Sequence, residues 1–452
     1  MQLDRRRLVA AGMGISGVAA ATASAVAATA QQRAPRAPAT AADIDVRPDT
    51  GKDVTASLQD AIDRAAERRQ PLTLAAGRYI VRGLKLRSGS RIVGAGPATV
   101  LQHAGGPALL SSDGASDITI EHLTAAGGFA LDTGVRALIE LRRAPRMTLR
   151  DIGVETSPAN GIMLERCGGV VTACRITGAA KAGIFSLDAD GGLEISHNHL
   201  AGLGNNGILV WRSAKGDDGT IVAMNRIERI AARDGGTGEN GNGINVFRAG
   251  SVLVTSNRIA DCAFSAVRAN SATDVQILAN NIARMGEVAI FAEFAFEGAL
   301  ISGNLIDGAA TGISVTNFDH GGRLAVVQGN LVRNLTLHRG PSDPGGYGIA
   351  VEADATITGN TIEGAPTAGM LIGWGRFCRD VVATGNVIRK SAGGITVTGD
   401  VQAGTVLLAN NLISGASRGA IRAADHGRPY GEDLASAPPS TGRIRAIGNV
   451  VG

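Results

Sequence analysis

The sequence predicts an all-β chain coiled as a parallel β-helix, a solenoid of about thirteen rungs of three short strands each. Three observations lead there. An asparagine followed two residues later by an aliphatic recurs along most of the chain. A Gly-Ile-x-Val phrase recurs between those asparagines. In both, apolar residues alternate at period two, which fits half-buried strands and not helices. With 63 glycines and 3% aromatics in 452 residues, composition favours many turns around an Ile, Val, Leu and Ala core.

Aligned on "VVATGNVIRK" (381–390), the asparagine column runs Asn198, Asn225, Asn257, Asn280, Asn304, Asn330, Asn360, Asn386, Asn410 and Asn449, with Glu121, Arg150 and Cys174 in earlier turns. The spacing, mostly roughly 23–32 residues, is that of stacked structural repeats. The interval from Asn410 to Asn449 is longer and holds an insertion. Each asparagine is expected to turn inward at a bend between two strands and to bond backbone and its neighbours above and below. An apolar residue there would leave buried turn groups unpaired. The Gly-Ile strand closes each unit, as in "GILVW" (207–211), "GINVF" (243–247), "GISVT" (312–316) and "GIAVE" (348–352). Such units cannot bury a face alone and must stack. At ~4.8 Å per rung they build a rod of roughly 60 Å.

Residues 1–30 read as an export segment: Arg5, Arg6 and Arg7, a weakly apolar Ala/Gly stretch, then a small-residue cleavage point at Ala28-Thr29-Ala30. The paired arginines resemble a twin-arginine signal, with Asp4 where that motif has Ser or Thr. The twin-arginine export machinery is the implied partner, and the periplasm or the exterior the implied location. An uncleaved membrane anchor is the alternative, for a stretch long enough to span but poor in Leu and Ile. Residues 31–42, "QQRAPRAPATAA", read as a linker, and residues 43–452 as the β-helix. Within it, residues 57–69 form an amphipathic helix with Leu58, Ala61, Ile62, Ala65 and Ala66 on one face and a Ser57/Asp60 capping box. That helix would lid the open edge of the first rung.

Several function classes are disfavoured. The net charge of +4 comes without a Lys/Arg-dense segment interleaved with aromatics, so nucleic acid is not an expected partner. No zinc, nucleotide or serine-nucleophile motif is present, and no cofactor is expected. Calcium is hinted at only by Asp217 and Asp218 of "KGDDG". Cys167, Cys174, Cys262 and Cys378 lack metal-ligand spacing. An oxidising compartment would permit a Cys167–Cys174 bridge, but Cys174 occupies an asparagine position, which favours buried free thiols.

In a Gly-Ile-x-Val-y strand, Ile and Val point inward, while x and y face out. Stacking therefore makes two outward columns. The x column is Met163, Phe185, Leu209, Asn245, Arg268, Phe291, Ser314, Ala350, Leu371, Thr396; the y column is Glu165, Leu187, Trp211, Phe247, Asn270, Glu293, Thr316, Glu352, Gly373, Thr398. Trp211, Arg212, Asn245, Phe247, Asn270, Phe291 and Trp374 would contact a long polysaccharide, such as a cell-envelope glycan, through ring stacking and hydrogen bonds. Long loops at 212–220, 232–242 and 338–347 border this strip. Arg268, Glu293 and Glu352 are the candidate catalytic groups. The two glutamates would stand two rungs apart, roughly 9–10 Å, near the upper end used by inverting glycosidases. Arg268, between Asn245 and Glu293, would instead serve a lyase. Asp319-His320 and Asp425-His426 repeat an Asp-His-Gly phrase but lie too many rungs apart to share a site, so they read as turn residues.

"DVTASLQDAIDRA" (53–65), "LAAGRYIV" (74–81), "RIVGAGPATVL" (91–101) and the asparagine repeats resemble the right-handed parallel β-helices of the pectin-lyase-like superfamily. Joined to the twin-arginine start, they resemble the Tat-translocated repetitive proteins, a family without an established activity. The resemblance spans residues 43–452 and implies a right-handed coil with a groove on the Gly-Ile face. The paired-Asp, Gly-His-Gly and Arg-Ile-Lys signatures of polygalacturonase-like hydrolases are missing. Two functional readings follow, a polysaccharide lyase or hydrolase and a non-catalytic binding or surface-scaffold protein.

Overall fold

Strand after strand pairs in parallel with its equivalent one turn later, and among the described residues the pairings join 44 strands into one continuous coil of about fourteen turns. The chain is thus a right-handed parallel β-helix. The computed structural model describes residues 39–40 and 46–452, apart from 237, 318–319, 338–344 and 437–441. The export segment, Asp319 and nearly all of the linker lie outside the described residues. Two linker residues, Ala39–Thr40, pair in parallel with Leu72–Thr73, so the sheet begins earlier than composition suggests. Among the described residues no helix is long and apolar enough to cross a membrane.

The inward positions stack in aliphatic columns. On the Gly-Ile face, Ile162, Ile184, Ile208 and Ile244 lie above one another in register, as do Ile290, Ile313 and Ile349 further along, all buried. Ile306, Val332, Ile362, Ile388 and Ile413 do the same on the strand after the asparagine. Each such side chain contributes about 1.5–3 kcal/mol by leaving water. β-branched residues suit the columns because their restricted χ1 fits the pleated surface.

The capping helix, α1 (Thr55–Glu67), begins and ends two residues earlier than expected and buries Leu58, Ala61, Ile62, Ala65 and Ala66. The Ser57/Asp60 box does not form. Instead, Asp53 Oδ1 accepts from the Thr55 amide and hydroxyl at 2.9 and 2.5 Å and so fixes the first turn. At the far end, Ile421–Asp425 and Arg428–Asp433 form an antiparallel hairpin, the insertion between the last two asparagines of the column.

The asparagine ladder is present, with one shift of position. Asn386 Oδ1 accepts both the amide and the Nδ2 of Asn360, at 3.0 and 2.9 Å. Its own Nδ2 donates to Ile357 O and to the next member's Oδ1. That next member is Asn411, not Asn410, and Asn411 in turn bonds Asn449. Asn410 takes φ +54° at the left-handed position just before the ladder, where Gly329, Gly359 and Gly385 stand in other rungs. Asparagine is among the few side chains that tolerate this conformation. The early turns also differ from expectation. Register places Leu123 beside Ile152, and Ile152 in line with Cys174, so Glu121 and Arg150 are not ladder positions.

The other recurring glycine has a different cause. A Cβ on Gly312 would lie 2.4 Å from Gly348 O, and one on Gly348 would lie 2.5 Å from Gly369 O. Adjacent Gly-Ile strands thus approach too closely for any side chain. All four cysteines are buried free thiols.

Candidate functional site

The x column has the expected register from Met163 against Phe185 to Leu371 against Thr396, and the y column has it from Glu165 to Thr316. Their exposure is not as expected. Glu293, Asn245, Glu352 and Arg268 are only 2%, 4%, 4% and 6% accessible. Segments outside the strands cover them. Gly238 of the 232–242 loop approaches the strip so closely that a Cβ on it would sit 2.2 Å from Arg268 Cζ. Asn242 and Asn245 hold that loop by donating to Gly238 O at 2.8 and 3.2 Å. At the other end the hairpin tip brings His426 edge-on to Trp374, with ring centres 5.6 Å apart. Among the described residues, this face carries two clefts that bear on the candidate residues.

The first cleft, about 430 Å³, is lined by Trp211, Gly238, Glu239, Asn245, Phe247, Arg268, Asn270, Glu293 and Phe294. Its aromatic wall is rigid. Trp211 meets Phe185 edge-on at 5.2 Å and Phe247 at 5.5 Å, and its Nε1 donates to Asn245 Oδ1 at 3.0 Å. Arg248 covers the ring of Phe247 at 4.7 Å. Beside the cleft, the bulged end of the Asn206–Asp217 strand is tied across several rungs by Lys215 Nζ donating to Ala295 O at 2.7 Å.

Arg268 and Glu293 form the floor as a two-pronged ion pair, Nε to Oε1 and Nη2 to Oε2, both 2.7 Å. Asn270 Nδ2 donates to the same Oε1 at 3.0 Å, Glu287 Oε2 lies 3.6 Å from Arg268 Nη1, and the guanidinium stacks on Phe291 at 4.8 Å. Removing one member of such a buried pair strands the other's charge. This geometry makes Arg268 a fixed cation held by carboxylates. Glu293 lines this cleft, and Glu352 lines the second.

The second cleft, about 300 Å³, lies two to four rungs further on. Phe291, Tyr347, Leu371 and Trp374 wall it, and Glu287, Glu352, Thr311 and Thr316 supply polar groups. Glu352 Oε2 accepts the Asn317 amide at 2.8 Å. The Thr316 hydroxyl is buried without a hydrogen-bond partner.

Of the residues expected to bind, Trp211, Asn245, Phe247 and Asn270 line the first cleft, and Phe291 and Trp374 the second. Arg212 lines neither. Its Nη1 donates to Ala189 O at 3.3 Å and lies 3.6 Å from Asp218 Oδ2, because the chain bulges outward straight after Trp211. Burial raises the Asp218 carboxyl above the usual range, against hydrogen bonds from Thr220 and the charge of Arg212. Asp218 is therefore engaged in its own turn, while Asp217 is exposed. His320 packs edge-on to Phe294 at 5.1 Å, and His426 rests on Trp374, so the two histidines border separate clefts. Most of the 338–347 loop lies outside the described residues. Tyr347, Glu287 and Gly238 were not expected. They sit just before or outside the Gly-Ile strands and carry no repeat signal beyond Tyr347 being one of three tyrosines.

A family model described as periplasmic copper-binding protein (NosD) matches residues 146–334. No curated protein matches the chain. Among solved structures, the N-terminal fragment of gene product 12 of bacteriophage Phi29 superposes with a TM-score of 0.52 at 14% identity, over 91% of this chain and 71% of that one. The pre-mature form of the same product gives 0.49 at 14% identity, over 83% and 69%. Tailspike protein 3 of bacteriophage CBA120 gives 0.47 at 14% identity, over 91% and 61%. At such identity the likeness is one of fold.

Proposed function

We propose that the protein is an exported glycan-binding β-helix that takes an extended polysaccharide along its Gly-Ile face. One observation carries this reading: two aromatic-walled clefts lie in line on one strand face, anchored by Trp211 and Phe247 in one and by Tyr347 and Trp374 in the other. Rings stack on the faces of sugars, while Asn245, Asn270, Thr311 and Thr316 suit hydroxyl groups. Trp211 and its neighbours are locked by their own contacts, so little freedom is lost on binding. Binding without chemistry is favoured because Glu293 is committed to Arg268. Export by the twin-arginine route, and kinship with the Tat-translocated repetitive proteins, rest on the paired arginines at the start of the chain. The periplasmic description of the matched family agrees with export.

Copper, which that description names, is not part of this reading. Among the described residues no three His, Cys, Asp or Glu side chains converge as ligands. Burial pushes the Cys167 thiol up to about 11 and those of Cys174 and Cys378 up to about 12, which disfavours the thiolates that soft metals need.

The test is a glycan array with the purified protein, followed by titration calorimetry of the hits on Trp211→Ala and Trp374→Ala. Each variant is expected to weaken binding about tenfold while keeping its far-ultraviolet spectrum. An array without hits, or hits indifferent to both substitutions, would refute the reading.

A further inference from the structure

We propose that the protein pairs with a second copy of itself through a charge-free patch on the strands that flank the asparagine ladder, apart from the Gly-Ile strands and their clefts.

The patch is built from stacked outward positions. On the strand before the asparagine, Gln276, Leu300, Val326, Thr356, Val382 and Leu407 lie in register. Just after the asparagine, Asn281, Leu305, Leu331, Thr361, Val387 and Leu412 stack in the same six rungs. The outward and bend positions between these columns hold only Leu, Ala, Ser, Thr, Gln, Gly and Asn. Charged residues make up 19% of the chain, yet none stands here over six consecutive rungs. Earlier rungs supply the comparison. There the first column contains Glu194, and the second runs Arg175, His199, Arg226 and Arg258. Stacking therefore tolerates charge at these positions, so its absence further along is not demanded by the coil.

The patch is open to solvent: Val326 and Leu412 are 37% and 42% accessible, and Leu300, Leu305, Leu331 and Val387 are half-buried. Charge returns along both long borders, and it returns as ion pairs. Glu297–Arg323 (2.9 Å) and Asp354–Arg379 (3.2 Å) stand on one side, Asp307–Arg333 (2.8 Å) and Glu363–Arg389 (3.8 Å) on the other. An uncharged centre inside a polar rim is the anatomy of a protein–protein contact. No aromatic ring lies among the patch positions, unlike the Gly-Ile face, so the patch lacks what stacks on sugars. Its rims carry both signs and so favour neither a polyanion nor an anionic membrane surface. A two-fold copy fits both features. It sets the uncharged centre against itself, and rims of mixed sign pair instead of repelling. At ~4.8 Å per rung and ~3.3 Å per residue the patch covers about 500 Å². Two copies bury about 1,000 Å², the lower bound for a specific interface, which fits a weak, reversible dimer.

The experiment is analytical ultracentrifugation of the full chain over a concentration series into the high micromolar range. A monomer–dimer equilibrium is expected, and it should persist in high salt because the centre of the contact has no charge to screen. Val326→Lys puts a charge in the middle of the patch and should weaken the dimer at least about tenfold. Thr356→Lys, at the exposed neighbour in the same column, gives the same readout if Val326→Lys fails to fold. Val170→Lys, in that column but beside Glu194, should leave association unchanged. A chain that stays monomeric throughout overturns the proposal. So does a dimer that salt dissociates, that ignores both patch lysines, or that Val170→Lys weakens equally.

Discussion

Replacing Asn386 with Leu isolates one step of the ladder. The side chain is 1% accessible, and its two ends meet neighbours on either side. Leucine removes the acceptor of the Asn360 amide (3.0 Å) and one donor to Ile357 O (3.1 Å), while Asn360 Nδ2 keeps its bonds to Val327 O and Thr358 O. A carbonyl oxygen with two lone pairs is cheaper to leave underused than an amide. The Asn360 N–H therefore dominates, and the local loss comes to about 2–4 kcal/mol. Because each rung touches mainly its neighbours, the loss should be read locally. Hydrogen exchange at Asn360 should accelerate about thirty- to a thousandfold, with little change ten rungs away. Cys174→Ala is the control at a natural break in the ladder, where the thiol makes only long sulfur contacts of 3.3 and 3.6 Å to carbonyls. It should cost about 1 kcal/mol. Unchanged protection at Asn360 would refute a load-carrying ladder.

Three further outcomes follow from the same geometry. Arg268→Leu should destabilise the protein by about 3–5 kcal/mol because Glu293 is left buried and unpaired, and adding Glu293→Leu should restore much of the loss; a double variant no more stable than the single one would contradict this. Glu228 is pushed up by burial, but bonds from Arg229, Arg226 and His199 outweigh this and bring its carboxyl from 4.5 down to about 2. A depressed carboxyl contributes stability that is full above 4.5 and lost as pH falls through about 2, so Glu228→Gln should flatten the acid limb of a denaturant-midpoint profile in that window. All four thiols should resist an aromatic disulfide reagent in the native protein and react together on unfolding, since burial raises each of them; one fast-reacting thiol would show an exposed cysteine.

Much of this was legible in the repeats. The Gly-Ile-x-Val strands gave the register of both outward columns, and with it the neighbours of Trp211, Arg268 and Glu293, because strand periodicity and stacking leave one in-register solution. Where two asparagines stand together, the repeat pattern points to Asn410, and the hydrogen bonds run through Asn411. The Asn410/Asn411 choice turns on backbone conformation, and "ANN" fits either assignment until φ is known.

The sequence by itself determined the coil: which residues point inward, which asparagines bond from rung to rung, and which face gathers the aromatics. These are periodic properties, set by neighbours within one unit and repeated by stacking. Only the tertiary structure decided what that face offers a ligand. The Gly238 loop, the His426 hairpin and the Lys215 tie come from insertions outside the repeat. Gly238 packs down on Arg268, and His426 packs on Trp374. Their placement depends on contacts between residues tens of positions apart, for which a local pattern holds no signal.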